Sequence, residues 1–366
     1  MCDVMTGGAI DVCVIGIWHL GSVISACLAD KGFNVIGVDF DLDAIEKLNT
    51  GTPPIFEPDL ANLVLKNIKR NKLRYTTNFQ EALSNAECIF LAIDTTVTEN
   101  DEIDLGPLYR MLEKSSRFFN NNSLIIVSSQ VPIGTCDNII RMIHKLNPDI
   151  TFNLVYCPEN LRLGQSIFRF KQPKMIVLGS DNPLALNVAE QFFITFNAPI
   201  IRMGLKSSEM FKHTLNAFLA TCISFINEIA NIGDLIGVDT LQVSSALKYD
   251  ERISEYAPLF PGLGFSGGTL ARDLKILTSI GKDVAYDTKL LNAVLMRNRM
   301  QNNIVYNKLV DIFGTINKLN VCIYGLTYKV GTSTLRRSVA IDIIKMLISK
   351  GANVKAYDPK VDFEEI

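Results

Sequence analysis

Residues 10–39 read IDVCVIGIWHLGSVISACLADKGFNVIGVD, and this stretch decides the fold. Ile10 to Ile15 is a short apolar run that stops at Gly16. After Gly21 the segment SVISACLADKG has the apolar spacing of a helix and closes at Gly32; a second run, Asn34 to Val38, then ends at Asp39. Strand, tight turn, helix, strand and acid in that order make a parallel βαβ unit suited to a dinucleotide. A pyrophosphate would lie on the helix N-terminus, where free amides and the helix dipole favour anions. Asp39 would accept hydrogen bonds from a ribose diol, and an acid at that place favours NAD over its phosphorylated form. The turn, Gly16-Ile17-Trp18-His19-Leu20-Gly21, lacks the usual middle glycine. Trp18 must therefore turn its side chain away while the backbone of Gly16, Trp18, Leu20 and Gly21 approaches the phosphates. Such a turn alone also suits a βαβ connection that binds nothing; Asp39 tips the reading to NAD.

Further apolar runs at Cys88 to Ile93, Leu124 to Ser128, Leu154 to Tyr156 and Met175 to Leu178 read as strands, separated by helical patterns such as Asp104 to Phe119. This alternation predicts an α/β fold, a doubly wound Rossmann-type parallel sheet over about the first 200 residues. Ligands of such sheets sit at the carboxyl ends of the strands, which singles out Thr95, the turn Ser129-Gln130-Val131-Pro132, and Cys157-Pro158-Glu159. Plain turn chemistry explains Thr95 and Ser129 equally well, because Thr and Ser cap helices.

A chain of 366 residues exceeds what one core usually serves, so about two or three domains are expected. Apolar content of 48% with 20% charge suits a globular protein, and no run approaches the roughly 18 uninterrupted apolar residues of a membrane span. A net charge of −2 offers no electrostatic reason to bind nucleic acid or an acidic membrane. Eight cysteines lie scattered without a CxxC pair, which argues against a zinc site, or any metal, and against a disulfide framework. They read as reduced thiols of a cytoplasmic protein. The N-terminus carries neither the basic region nor the apolar run of a secretory signal.

From Ser207 the pattern SSEMFKHTLNAFLATCISFINEIANIGDLIG reads as a long helix opened by capping serines and closed by glycine. Lys212 and Asn216 are four apart and share a face, where they could hold a substrate hydroxyl and stabilise an alkoxide; a solvated helix face is the alternative. The apolar remainder exceeds one helix face, which calls for a second helix layer or a partner subunit. The glycine-dense stretch FPGLGFSGGTLARD, Phe260 to Asp273, lets a backbone hug a bulky ligand. Tyr286 to Phe313 reads as one long connecting helix. Asn320 to Gly325, Ser338 to Lys350 and Val354 to Tyr357 read as strand, helix and strand of a second αβ unit, reduced or cut short at Ile366. The boundaries drawn are 1–200, 201–313 and 314–366.

The segments PIFEPDL at Pro54, SSQVPIGT at Ser128, CPENLR at Cys157, FKHTLNAFLATCISFINEIAN at Phe211, DERI at Asp250, PGLGFSGGTLARD at Pro261, GLTYKVGTSTLRRS at Gly325 and AYDP at Ala356 follow one another along nearly the whole chain. In order and spacing they resemble the nucleotide-sugar 6-dehydrogenases, the family of UDP-glucose and GDP-mannose dehydrogenases. The resemblance implies an N-terminal NAD domain, a central helical region that forms a homodimer, and a C-terminal domain gripping the nucleotide of a nucleotide-sugar substrate. It implies oxidation of the sugar's C6 alcohol to a carboxylate, with two hydrides passed to two NAD molecules. Carried over by motif, Gly16 to Gly21, Asp39, Thr95, Ser129, Gln130 and Arg336 look like cofactor contacts. Glu159, Lys212, Asn216 and Asp273 look like catalytic groups. Asn160, Leu161, Arg162, Leu163, Phe260, Gly262, Gly264, Phe265 and Lys329 look like substrate contacts, and Arg252 resembles the arginine that reaches a phosphate across the dimer. An exposed charge is the alternative for Arg252 and Arg336.

The chain departs from the family at the catalytic thiol. Where the family has the cysteine that adds to the aldehyde, this chain has Thr269. An unactivated threonine is protonated at neutral pH and crowded at Cβ. Gln130 stands where a water-positioning threonine is expected, Leu163 where a glutamate base is expected, and Arg272 replaces a lysine. Losing general-base help costs roughly 10²–10⁴-fold per group. Thiol, water positioner and base all serve steps after the aldehyde. Three readings follow: an oxidoreductase of a nucleotide sugar, a UDP-sugar first, by a variant mechanism that stops at a two-electron product, oxidises the aldehyde as its hydrate, or uses Thr269 as a catalytic group activated by Lys212 or Asp273; a binding protein with little turnover; or a two-electron dehydrogenase of another sugar position.

Overall fold

Strand β1, Asp11–Ile15, is covered on both faces, and its side chains alternate between two cores. Val12 and Val14 join one, Cys13 and Ile15 the other. A strand buried on both sides has no polar face, so the sequence shows a continuous apolar run instead of alternation. Its neighbours are β2 (Asn34–Val38), β3 (Leu73–Thr76), β4 (Cys88–Leu91), β5 (Ser123–Val127), β6 (Phe152–Tyr156), β7 (Ile176–Gly179) and β8 (Ile200–Met203). In the computed structural model, which describes residues 10–95, 103–159, 161–328, 335 and 337–361, they form one sheet in the order β3-β2-β1-β4-β5-β6-β7-β8. The first six run parallel. β7 and β8 pair parallel with each other, but β7 meets β6 antiparallel at Tyr156 and Gly179. The strand order reverses between β1 and β4, which places a crevice beyond their carboxyl ends, at Gly16 and Asp94.

The sheet is the expected doubly wound one, with two strands the sequence reading lacks. β3 (LRYT) alternates and carries an exposed arginine, and β8 is a half-exposed edge, so neither shows a buried apolar run. The described residues up to Lys212 form one compact unit and those from His213 onward a second. The division falls inside the long helix Leu205–Ile236. In the first unit, fully buried Glu209 of this helix accepts hydrogen bonds from the backbone nitrogens of Gly134 (2.6 Å) and Cys136 (2.8 Å). It thereby caps the helix Thr135–Leu146, whose own N-cap is a glycine with no side chain to offer.

In the second unit, Ala217 and Ala220 of the long helix pack with Phe265, Leu274 of the helix Thr269–Asp283, and Val294 of the helix Lys289–Gln301. By length and composition the long helix is apolar enough to cross a membrane, with a mean hydropathy of 1.3 over its best window. Its polar side chains are spent on neighbours: Ser224 on Val294 O, Asn227 on Gly262 N, Asn231 on the Gln301 side chain. Parallel β9 (Asn320–Tyr324) and β10 (Asn353–Tyr357), with the helix Val339–Ser349, surround a small core of Ile316, Ile343, Leu347 and Ala352.

The single connecting helix expected over 286–313 is two, Lys289–Gln301 and Asn303–Phe313. Its start is late because Ala285 takes a left-handed backbone (φ 56°) and Tyr286 N bonds back to Gly281 O at 2.7 Å, closing the preceding helix. The break at Asn302 lies in the run Gln301-Asn302-Asn303, residues whose side chains compete with the helix for backbone groups.

Candidate functional site

Gly16 ends β1 with φ 87°, and a Cβ there would press to 3.0 Å from Ile93 Cα. At Gly21 a Cβ would lie 1.7 Å from Gly16 O, so only glycine lets the helix His19–Asp30 sit this close to the turn. Trp18 is 52% exposed and directs its ring to solvent, leaving its backbone to the turn. Asp39 follows β2, its Oδ2 accepting from Ile17 N (3.1 Å) and its Oδ1 from Phe40 N (2.7 Å). Burial raises the Asp39 carboxyl above its ordinary range, against the opposing pull of these backbone donors. A carboxylate has about four acceptor positions, so capacity remains for a diol. Leu20 N points to Asp94 Oδ2 at 3.4 Å. The absence of Cβ atoms at Gly16 and Gly21, with an acid at the tip of β2, forms a cradle that NAD fits.

At the ends of β4 and β5, Thr95 Oγ1 donates to Gln130 O at 2.8 Å, tying the two loops together. Fully buried Ser129 donates its hydroxyl back to Leu91 O (3.2 Å), and Gln130 is nearly buried. Beyond β6, Glu159 Oε2 accepts from Leu161 N at 2.6 Å, and its carbonyl accepts from Lys212 Nζ, which lies 3.6 Å from Glu159 Oε1. Lys212 is 6% exposed, so the alternative of a solvated face does not apply to it. Arg162 is exposed and Leu163 half-buried. Cys157, the other thiol near this loop, has its pKa pushed up to about 12 by burial, which removes it as a ready nucleophile.

In the second unit, Asn216 lies one turn beyond Lys212 on the same helix and is 7% exposed. Its Nδ2 donates to Asp273 Oδ2. His213 Nδ1 donates to Asp273 Oδ1 at 3.0 Å, and Arg272 Nε lies 3.4 Å from the same oxygen. Burial alone would raise the Asp273 carboxyl; the His213 hydrogen bond, the Arg272 charge and the Asn216 amide outweigh it and hold the pKa below the usual carboxylate range. Thr269 is the first residue of the helix Thr269–Asp283, one turn before Asp273. It is exposed, and its hydroxyl has no hydrogen-bond partner among the described residues.

Side-chain amides hold the glycine-rich loop. Asn298 grips Phe265 at both backbone groups, Oδ1 accepting from N at 2.8 Å and Nδ2 donating to O at 2.9 Å. Gly262 N donates to Asn227 Oδ1 (2.7 Å) and Gly262 O accepts from Gln301 Nε2 (2.8 Å). Gly264 shares the loop; Phe265 is buried and Phe260 is exposed. Arg252 is exposed and forks onto both carboxylate oxygens of Asp250, at 2.8 and 2.7 Å. Asn160, Lys329 and Arg336 lie outside the described residues.

Three models of one family cover the chain: the NAD binding domain of the UDP-glucose/GDP-mannose dehydrogenase family over 10–197, its central domain over 206–300 and its UDP binding domain over 322–366. The chain belongs to the UDP-glucose/GDP-mannose dehydrogenase family. It is 35% identical over 349 residues to the UDP-glucose 6-dehydrogenase TuaD of Bacillus subtilis (strain 168), spanning 95% of this chain and 76% of that protein. It is 33% identical over 353 residues to the UDP-glucose 6-dehydrogenase of Rickettsia bellii (strain RML369-C), covering 95% and 81%. Among solved structures, a UDP-glucose dehydrogenase from Pyrobaculum islandicum superposes with a TM-score of 0.90 at 27% identity, covering 97% of this chain and 83% of that one.

As a member of the UDP-glucose/GDP-mannose dehydrogenase family, the chain is an NAD-dependent nucleotide-sugar dehydrogenase. Two residues at the described groups escaped the sequence reading. His213 follows Lys212 directly, but a lone histidine in an apolar helix gives no sign of the carboxylate it meets 60 positions on. Glu57 lies in the PIFEPDL segment, whose repetition of a family pattern was legible while its purpose was not.

Proposed function

We propose that this chain oxidises the C6 alcohol of a UDP-sugar with NAD and releases the two-electron product, the aldehyde or its hydrate. The observation that carries this reading is Thr269: an exposed hydroxyl with no hydrogen-bond partner among the described residues, one turn from an aspartate whose oxygens already serve His213, Asn216 and Arg272. Nothing in those contacts withdraws the Thr269 proton, and an unactivated hydroxyl does not trap an aldehyde efficiently. The UDP binding domain match and the UDP-glucose 6-dehydrogenases among the relatives support a UDP-sugar as substrate.

In this reading the Gly16–Gly21 turn would hold NAD, which would supply the hydride acceptor for C6, and Asp39 would select it through the ribose diol. Lys212 and Asn216 hold the C6 oxygen. Lys212 offsets the charge that develops there as the hydroxyl proton leaves to water. Ionised Asp273 fixes the Asn216 amide, and Glu159 holds Lys212. The Phe260–Phe265 loop in the second unit and, separately, residues 161–163 in the first are read as substrate contacts. The exposed apolar side chains Phe218, Phe225, Ile232 and Leu235 of the long helix support a homodimer through that face.

The test is stoichiometric. Purified protein is incubated with NAD and a panel of UDP-, GDP- and dTDP-sugars, and the NADH formed per sugar consumed is counted beside the product. One NADH with an aldehyde or hydrate is expected from a UDP-sugar. Two NADH with a carboxylate overturns the proposal. No NADH, with both ligands bound in calorimetry, moves the chain to a binding role.

A further inference from the structure

Glu57 is a carboxylate with 1% of its side chain exposed, and no step of the proposed reaction uses it. It nevertheless has four polar contacts. Oε2 accepts from Gly164 N (2.9 Å) and from the Ser166 hydroxyl (3.0 Å), Oε1 accepts from Ser166 N (2.8 Å), and His19 Nε2 lies 3.1 Å from Oε2. His19 Nε2 is also 3.3 Å from Ser166 Oγ. His19 is the first residue of the helix that follows the dinucleotide turn. Gly164 and Ser166 continue directly from the Glu159–Leu163 segment, and the Arg162 carbonyl accepts from Gln165 N (2.8 Å) and lies 3.0 Å from Ser166 Oγ.

A buried carboxylate is costly unless its acceptor positions are filled, and here every donor that fills them comes from one of two segments. One is the base of the cofactor turn; the other is the loop after Glu159, whose carbonyl accepts from Lys212. From this we infer that Glu57 is a positioning residue that fastens residues 161–166 to the dinucleotide turn, so that ordering of the turn by NAD also orders the part of this stretch assigned to the sugar nucleotide. Without Glu57 the polar ties of residues 161–166 to the turn reduce to His19 and the Ser166 hydroxyl, while the Lys171–Asp30 pair and the apolar packing of Ile167 and Phe170 join the same elements farther along. With it, the first ligand covers part of the ordering entropy that the second would otherwise lose. The inference rests on the assignment of the 159–163 segment to substrate, but its test does not need the substrate.

Amide hydrogen exchange by mass spectrometry on the full chain, with and without saturating NAD, reads this directly. In the unmodified protein NAD is expected to slow exchange in the peptide 161–171 as well as at the turn, by about five-fold or more, the lower end of ordinary coupling between sites. Glu57→Gln keeps the size of the side chain but sets an amide donor against donors. NAD, raised until calorimetry shows saturation, is expected to protect the turn of this variant and to leave 161–171 unchanged. His19→Phe, which removes only the turn-side contact, is expected to give the same split and stands in if Glu57→Gln does not fold. Protection of 161–171 that persists in both variants, or that never occurs in the unmodified protein with NAD bound, overturns the inference. Failure of the unmodified protein to bind NAD at all defeats the cofactor assignment itself, and this inference with it.

Discussion

Nδ1 of His213 sits 3.0 Å from Oδ1 of Asp273, with both side chains sealed from solvent. A buried aspartate persists as an anion only where donors surround it, and here His213, Asn216 and Arg272 do so. The carboxylate is thereby committed to holding its neighbours and is poorly disposed to carry away a proton.

Because its folded-state pKa lies below the ordinary value, Asp273 contributes stability that is present above the unfolded carboxyl's pKa and lost as pH falls through the folded one. Asp273→Asn is expected to cost about 3–5 kcal/mol at neutral pH, the range for removing one partner of a buried pair. The difference between the two proteins should shrink below about pH 4, as the carboxyl protonates. Urea unfolding at a series of pH values checks this; a gap that stays constant down to strong acid contradicts the ionised, donor-held carboxylate.

Restoring the thiol alone should do little. Thr269→Cys places a sulfur at an exposed helix start, but Gln130 and Leu163 remain where a water positioner and a base are wanted. We expect the NADH count per sugar to stay near one in the single variant. It should move toward two only when Gln130→Thr and Leu163→Glu are added. A single change that restores the second hydride would show that the missing thiol acts by itself.

How far the sequence reaches is visible in these residues. The parallel sheet was legible because β1, β4 and β5 are buried on both faces and so are written as unbroken apolar runs. β3 and the edge strand β8 were not, because a half-exposed strand of four residues has no such signature. Lys212 and Asn216 could be placed on one face by their spacing, but their burial depends on partners 53 residues before Lys212 and 57 after Asn216. The same long-range pairing hid His213 and Glu57, whose roles lie in what they touch and not in any local pattern.

Asn298 acts on the glycine-rich loop as a second strand would, answering both backbone groups of Phe265. Asn298→Ala leaves that buried N–H and C=O unanswered, at about 1–3 kcal/mol for an unsatisfied buried group. Because the loop is assigned to the sugar nucleotide, KM for that substrate should rise by roughly ten-fold or more, the equivalent of about 1.4 kcal/mol, while NAD affinity holds. Steady-state kinetics with each ligand varied in turn separates the two. A matched loss of NAD affinity would mean that the loop does not act on substrate alone.

Gly21 sets a severe steric condition, since any Cβ there would fall 1.7 Å from the carbonyl oxygen of Gly16. That oxygen belongs to a backbone already fixed by Gly16 N bonding to Val38 O at 3.0 Å, so it has no easy way to retreat. Gly21→Ala must therefore push the helix His19–Asp30 off the turn, and the cradle assigned to NAD opens with it. A ligand at a hundred times its Kd stabilises a folded protein by about 2.7 kcal/mol. Thermal unfolding of the unmodified chain should rise by the corresponding amount when NAD is added at that excess. Gly21→Ala should unfold at a lower temperature and gain little from the same NAD. If the variant keeps the full NAD-dependent rise, the cofactor does not rest on this turn.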